Sequence, residues 1–176
     1  GQGYVDSTPI QLAAMTAAVA NGGKLLRSTI VKQIRGSDGK VIYDQAPMMR
    51  WDIPLAPDKF AELKSALLGV VRDGRGTGKK CRVPGLNIRA KTGTSQVISI
   101  KQKGEEEAQI PYHERTHALF VAFVDDRPKK IAVVVVVEHG GGGGASAAPI
   151  ARKVIARYYG LPDPGDPPEG PLAGNH

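Results

Sequence analysis

The stretch THALFVAFVDDRPKKIAVVVVVE, residues 116–138, decides the fold. Residues 116–124 and 131–138 are rich in Val, Ile, Phe and Ala and flank Asp125-Asp126-Arg127-Pro128. Two β-prone runs joined by so short a polar turn read as an antiparallel hairpin. The unbroken Val run 133–137 predicts burial on both faces of its second strand. Immediately upstream, residues 87–98 read as a third strand, interrupted by Lys91-Thr92-Gly93-Thr94, with a polar loop containing Glu105, Glu106 and Glu107 after it. Downstream, the glycine run 140–144 breaks the chain before a helix over about 146–159. Ile150, Val154, Ile155 and Tyr158 are expected to turn that helix's apolar stripe toward the sheet.

The N-terminal half supplies more helices than sheet. Residues 8–21 read as a helix: Ser7 or Thr8 can cap it, Pro9 suits its first turn, and Asn21-Gly22-Gly23 stops it. Ile10, Ala13, Ala14, Ala17 and Ala18 form its small apolar face. Residues 30–34 and 40–43 are short β-rich runs around Ser37-Asp38-Gly39, whose Asp-Gly pair is a strong hairpin signal. Residues 48–54 look irregular. Pro57-Asp58 opens a second helix to about Val71, with Phe60, Leu63, Leu67 and Val70 inward, and the glycine-rich loop 73–78 ends it. The expected class is therefore α+β, an antiparallel sheet flanked by helices. A domain over 1–160 precedes a Pro- and Gly-rich tail, 161–176, whose composition predicts disorder.

Composition narrows the function classes. The 176 residues, 41% hydrophobic and 23% charged, suit a globular chain with a mainly aliphatic core. No window approaches the roughly 20 apolar residues of a membrane span, and no signal peptide is visible. A single cysteine, Cys81, excludes an internal disulfide and reads as a buried thiol. The net charge of +7 is scattered, with pairs such as Lys79-Lys80 but no long run and no interleaved aromatics, which argues against nucleic acid. His113 and His117 are four apart, but the start of a strand lies between them, so no metal or cofactor is expected. His117 reads as a structural hydrogen-bonding residue. Gly74 to Lys79 hints at a phosphate loop but lacks its first glycine and its Ser/Thr, and reads as a plain connection.

Lys91-Thr92-Gly93-Thr94 is the one cluster that could carry chemistry. A cation, two hydroxyls and a glycine on one strand make a grip for a carboxylate. Thr92 and Thr94 point to the same side of the strand, and Gly93 allows close approach to the backbone. The Thr94 N–H could then serve a developing oxyanion.

The surroundings of that cluster carry a resemblance. Gly1-Gln2-Gly3-Tyr4, then Thr8-Pro9-Ile10-Gln11-Leu12-Ala13, the Gly76-Thr77-Gly78 loop and the Lys-Thr-Gly strand follow in order. Glu138-His139-Gly140-Gly141 and Ala147-Ala148-Pro149-Ile150-Ala151 complete it. Together they resemble class B penicillin-binding proteins, most of all those of the elongation type, over about residues 1–159. The resemblance implies the C-terminal part of a serine penicilloyl-transferase fold. It implies a D,D-transpeptidase of cell-wall and cell-shape synthesis that cross-links peptidoglycan stem peptides and is acylated by β-lactams. It further implies a membrane anchor elsewhere, this domain on the periplasmic side, and a membrane glycosyltransferase and elongation-complex proteins as partners. Lys91 would give positive potential to the substrate carboxylate, Thr92 and Thr94 would hydrogen-bond it, and Thr94 N–H would be an oxyanion donor.

The family's Ser-x-x-Lys nucleophile and Ser-x-Asn motif are the departure. No serine here begins Ser-x-Asn, and Ser37-Asp38-Gly39-Lys40, the only Ser-x-x-Lys match, reads as a hairpin turn. The nucleophile is thus expected on a preceding portion of the same domain, and this chain alone is expected to be inactive. Two other classes are weighed beside this one, a non-catalytic partner-binding fragment and a basic nucleic-acid-binding module.

Overall fold

The computed structural model describes residues 6–96 and 111–165, so Gly1 to Tyr4 and Glu105 to Glu107 lie outside the described residues. Helix α1, Pro9–Ala20, begins as its sequence dictates. The Thr8 hydroxyl accepts from Gln11 N, and Gln11 Oε1 accepts from Thr8 N at 2.8 Å, a reciprocal cap with Pro9 in the first turn. Gly22 and Gly23, at φ 71° and 102°, turn the chain out of the helix. Its buried edge is Thr16 and Ala18, while Ile10 is exposed, contrary to the expected face. A helix of alanines has too little apolar asymmetry for spacing to choose the buried line.

Two small ribbons follow. Strand β1, Lys24–Leu26, pairs antiparallel with β4, Met49–Asp52, and β2, Gln33–Arg35, pairs with β3, Val41–Asp44. The expected irregular stretch at 48–54 is thus partly a strand, formed through a partner more than twenty residues away that local reading did not pair with it. The β2–β3 turn settles the Ser37-x-x-Lys40 match. Gly39 sits at φ 78°, Gly36 N donates to Lys40 O, and Asp38 Oδ1 accepts from Lys40 N. Ser37 opens no helix, so Lys40 does not stand one turn from it.

Helix α2, Pro57–Arg72, buries Phe60 near one end and Val71 at the other. Phe60 packs on Gly23, where even a Cβ would stand 2.8 Å from its ring. Leu63, expected inside, is exposed, and Leu67 and Val70 are half-buried. The helix is seated by its two ends, and its middle turn is not covered.

The main sheet is a three-stranded antiparallel meander, β5-β6-β7, of Arg89–Ser95, His117–Val124 and Ile131–Val137. The β5 ladder runs unbroken from Arg89↔Phe123 to Ser95↔His117, so Lys91-Thr92-Gly93-Thr94 lies within the strand and does not interrupt it. Helix α3, Gly143–Tyr158, covers one face of the sheet, and α1 lies against β6 and β7. Ala118, Phe120, Ala122 and Val124 of β6, with Val133 and Val135 of β7, meet Ala147, Ala148, Ala151 and Ile155 of α3. Burying a side chain such as Phe120 contributes about 1.5–3 kcal/mol, and here the alanines let the helix settle close to the strands. For that reason the buried stripe is Ala147, Ala148, Ala151, Arg152, Ile155 and Ala156, while Ile150, Val154 and Tyr158 face outward, opposite to expectation. Val133 and Val135 are buried but Val136 is exposed, so the predicted burial of both faces of β7 fails. β7 is the outer strand of the described sheet, and α1 covers only part of its second face.

Beyond α3, Leu161 N donates to Ala156 O and Asp163 pairs with the buried Arg152, Nε to Oδ1 at 2.7 Å. The first residues after Gly160 are therefore tied to the body, and those past 165 lie outside the described residues. Among the described residues no helix is long and apolar enough to cross a membrane.

Candidate active site

Strand β5 is an edge strand of the described sheet, hydrogen-bonded to β6 on one side only. Alternate N–H and C=O groups of such a strand face outward. Its side chains alternate as the pleat requires. Ile88 precedes the strand and is buried in the core with Ala90, and Thr92 and Thr94 continue that parity toward the strand's far end. Lys91, Gly93 and Ser95 take the opposite parity. Lys91 is exposed, and its ammonium donates to Thr92 O at 2.8 Å. Lys91 and Thr94 thus reach a ligand only if it lies along the free edge, where both faces of the strand are accessible.

Thr92 is held from beneath. Its Oγ1 lies 3.1 Å from Thr77 Oγ1, and its methyl group faces Gly144. That hydroxyl, expected to hold substrate, already has a protein partner. A Cβ on Gly93 would stand 3.1 Å from Leu119 Cβ, so a side chain at this place in the strand would crowd β6.

The glycine run explains how α3 reaches this strand. A Cβ on Gly143 would stand 2.1 Å from Leu119 O and 2.6 Å from Gly93 O, and one on Gly144 would stand 2.2 Å from Thr77 O. Only glycine lets the first turn of α3 rest on the backbone of β5, β6 and the preceding loop. The turn is tied further by Ser146 Oγ, which donates to Gly140 O at 2.6 Å. The positive end of the α3 dipole therefore lies over the Gly93 segment, which favours an anion there.

The far end of β5 is framed by histidines. His117, paired with Ser95, accepts from His139 N at Nδ1, 2.9 Å, which bears out its structural role. His139 holds a left-handed φ of 53°, and its ring meets Arg115 O, Tyr112 and His117. At the near end, Asp125 accepts from Lys64 at 2.8 Å and Arg89 at 2.5 Å, and Lys64 also donates to Ala20 O. This joins the ends of α1 and β6 to α2 and the start of β5.

Burial pushes the Cys81 thiol up to about 12, more than neighbouring Arg152 pulls it down, so it is no nucleophile. Among the described residues no cluster of three His, Cys, Asp or Glu side chains could hold a metal. Sequence reading found Lys91 to Thr94 but missed Thr77 and the Asp125 network. Gly76-Thr77-Gly78 was visible as a motif and carried no assigned contact.

Comparison with known proteins identifies the family of the chain as a whole. Residues 1–156 match the family model described as the penicillin binding protein transpeptidase domain. The chain is 31% identical over 160 residues to the peptidoglycan D,D-transpeptidase MrdA of Salmonella typhimurium, covering 88% of this chain and 25% of that protein. It is 33% identical over 165 residues to the peptidoglycan D,D-transpeptidase PbpA of Mycobacterium tuberculosis, covering 88% of this chain and 30% of that one. Among solved structures it is similar to M. tuberculosis penicillin-binding protein A in a ceftriaxone acyl-enzyme complex, with a TM-score of 0.71, 32% identity, and coverage of 88% and 33%. It is also similar to Pseudomonas aeruginosa PBP2 in complex with WCK 5153, with a TM-score of 0.69, 36% identity, and coverage of 94% and 33%. The chain spans about a quarter to a third of the length of these relatives.

Proposed function

The chain belongs to the penicillin-binding protein transpeptidase family, and from that premise we propose that it forms the β5 wall of a peptidoglycan D,D-transpeptidase site. The observation that carries the reading is the Lys91–Thr94 segment on a free sheet edge beneath the positive end of α3. A stem peptide lies along that edge as an added strand. The Lys91 ammonium and the Thr94 hydroxyl draw its terminal carboxylate from the two faces of the strand. Gly93 keeps the surface low, and Thr92 supports it from below.

The reaction is acyl transfer through a serine carried on another part of the protein. The serine oxygen attacks the peptide carbonyl carbon, and the oxyanion that forms is met by the outward N–H at Thr94. The C–N bond then breaks, the terminal amino acid leaves with a proton on its nitrogen, and an acyl-enzyme remains. An amine from a second stem peptide attacks the ester and completes the cross-link. A β-lactam enters the same step, but its amide C–N bond lies within the ring. The leaving nitrogen therefore stays attached, and the enzyme is left acylated. Acyl-enzyme complexes of a relative support this.

Residues 1–160 act as the C-terminal part of that domain, ahead of a separate tail. Peptidoglycan is assembled outside the cytoplasmic membrane, so the domain works on that face. The test is labelling of the full-length protein with fluorescent penicillin. Covalent label is expected on the wild type, and Lys91→Ala should slow labelling by about 100-fold or more with little loss of fold. An unlabelled wild type would end the proposal, and unchanged labelling in the variant would remove Lys91 from it.

A further inference from the structure

Two contacts meet at Thr77, an exposed residue of the loop between α2 and β5. Its hydroxyl is 3.1 Å from Thr92 Oγ1. Its carbonyl oxygen lies directly under Gly144, where a Cβ would come to 2.2 Å. The glycines on either side are themselves fixed. A Cβ on Gly76 would stand 2.4 Å from Val70 O, and one on Gly78 would stand 3.1 Å from Val70 and 3.2 Å from the Phe120 ring. Gly78 N donates to Val70 O and Gly76 N to Asp73 O, both at 2.9 Å. The loop therefore cannot shift without moving the end of α2 or the core.

Thr92 is the residue through which this fixed point reaches the strand. One branch of its side chain meets the Thr77 hydroxyl and the other faces Gly144. Among the described residues β5 has a hydrogen-bonded neighbour on only one edge, so its height and rotation against α3 are not fixed by these ladder bonds alone. We infer that Thr77 is a positioning residue for the Lys91–Thr94 strand, setting through Thr92 the place at which Thr94 meets substrate. The inference rests on the proposed transpeptidase reading. Thr77 touches no substrate and moves no proton. Its effect is geometric, and acyl transfer is sensitive to displacements of about 1 Å.

The experiment measures the second-order rate of fluorescent-penicillin acylation on the full-length protein, with final label stoichiometry and melting temperature alongside. Thr77→Val keeps the shape and removes the hydroxyl. It should slow acylation roughly 10-fold to 100-fold while full stoichiometry is still reached and melting is nearly unchanged. Thr77→Ser should restore the rate to within about 3-fold of wild type, which a purely steric role would not do. Because the two hydroxyls act as one unit, Thr77→Val combined with Thr92→Val should be little slower than Thr77→Val alone.

Wild-type rates in Thr77→Val would overturn the inference. So would serine failing to rescue, or the two valine effects multiplying. In each of these cases the wild type still labels and the proposed function stands. A wild type that takes no label removes both.

Discussion

Replacing Gly143 by alanine tests how α3 is seated on the strand that carries Lys91 and Thr94. The new Cβ would stand 2.1 Å from Leu119 O, 2.6 Å from Gly93 O and 3.2 Å from Gly93 N. The closest of these falls short of an ordinary 3.4 Å contact by about 1.3 Å. All three are backbone atoms of paired strands, so no side chain can rotate away. The first turn of α3 must lift by on the order of 1 Å, or β5 and β6 must move apart. Overpacking of this kind costs about 1–3 kcal/mol, which lowers melting by roughly 3–10 °C for a domain of this size. A displacement of that size next to reacting groups slows chemistry by about 100-fold. Gly142→Ala is the internal control. Nothing lies within 4 Å of its added Cβ, its φ of −79° suits alanine, and the expected cost is a weaker N-cap, below about 1 kcal/mol. Penicillin labelling rates and thermal loss of labelling should separate the two variants clearly. Equal behaviour of Gly143→Ala and Gly142→Ala would refute the close seating of α3.

Two other consequences follow from ion pairs that local sequence reading did not find. Asp125→Asn leaves the part-buried Lys64 and Arg89 facing each other without their shared carboxylate, and should destabilise the domain by about 3 kcal/mol, measured by denaturant unfolding. A loss under about 0.5 kcal/mol would show that the three groups are not coupled. The Arg152 hydrogen bond holds the Asp163 carboxyl below its ordinary value of 3.8. A lowered folded value means the tie is fully present above that ordinary value and is lost as pH falls through the lower one. A fluorophore placed at Gly165→Cys should report an ordered tail above the carboxyl's ordinary value that loosens only as pH falls well below it, whereas adding Asp163→Asn should loosen it at every pH. The same pH profile with and without Asp163→Asn would contradict this.

Much of the frame was legible because it is encoded in local chemistry. Thr8 and Gln11 cap α1 from their side chains, Asp38-Gly39 makes its turn, and the β6–β7 hairpin follows from two apolar runs and the short polar connection 125–130. Elements made by distant partners were not legible. β4 forms beside β1, and although Met49-Arg50-Trp51-Asp52 alternates apolar and charged residues, four residues between Pro47 and Pro54 are too short a run to announce a strand without that partner. Helix faces were legible only in part, Ala18, Phe60 and Ile155 being buried as expected, for a related reason. Ile150, Val154 and Tyr158 are more hydrophobic than Ala147, Ala148 and Ala151, yet the alanines are inside. Close contact between α3 and the sheet selects small side chains over apolar ones, and spacing cannot reveal that preference. At the site, Lys91 to Thr94 stood out as residue types. Thr77 did not, because its role comes from a fold that brings residue 77 against residues 92 and 144.

The most direct test is the structure of the full-length protein after reaction with a penicillin. The ligand should be bonded to a serine outside this chain and run along the free edge of β5. Its carboxylate should meet Thr94 Oγ1 with Lys91 nearby, its carbonyl oxygen should lie within about 3 Å of Thr94 N, and Thr92 should remain bonded to Thr77. A ligand bonded elsewhere, or one whose carboxylate and carbonyl both point away from β5, would contradict the account at its centre.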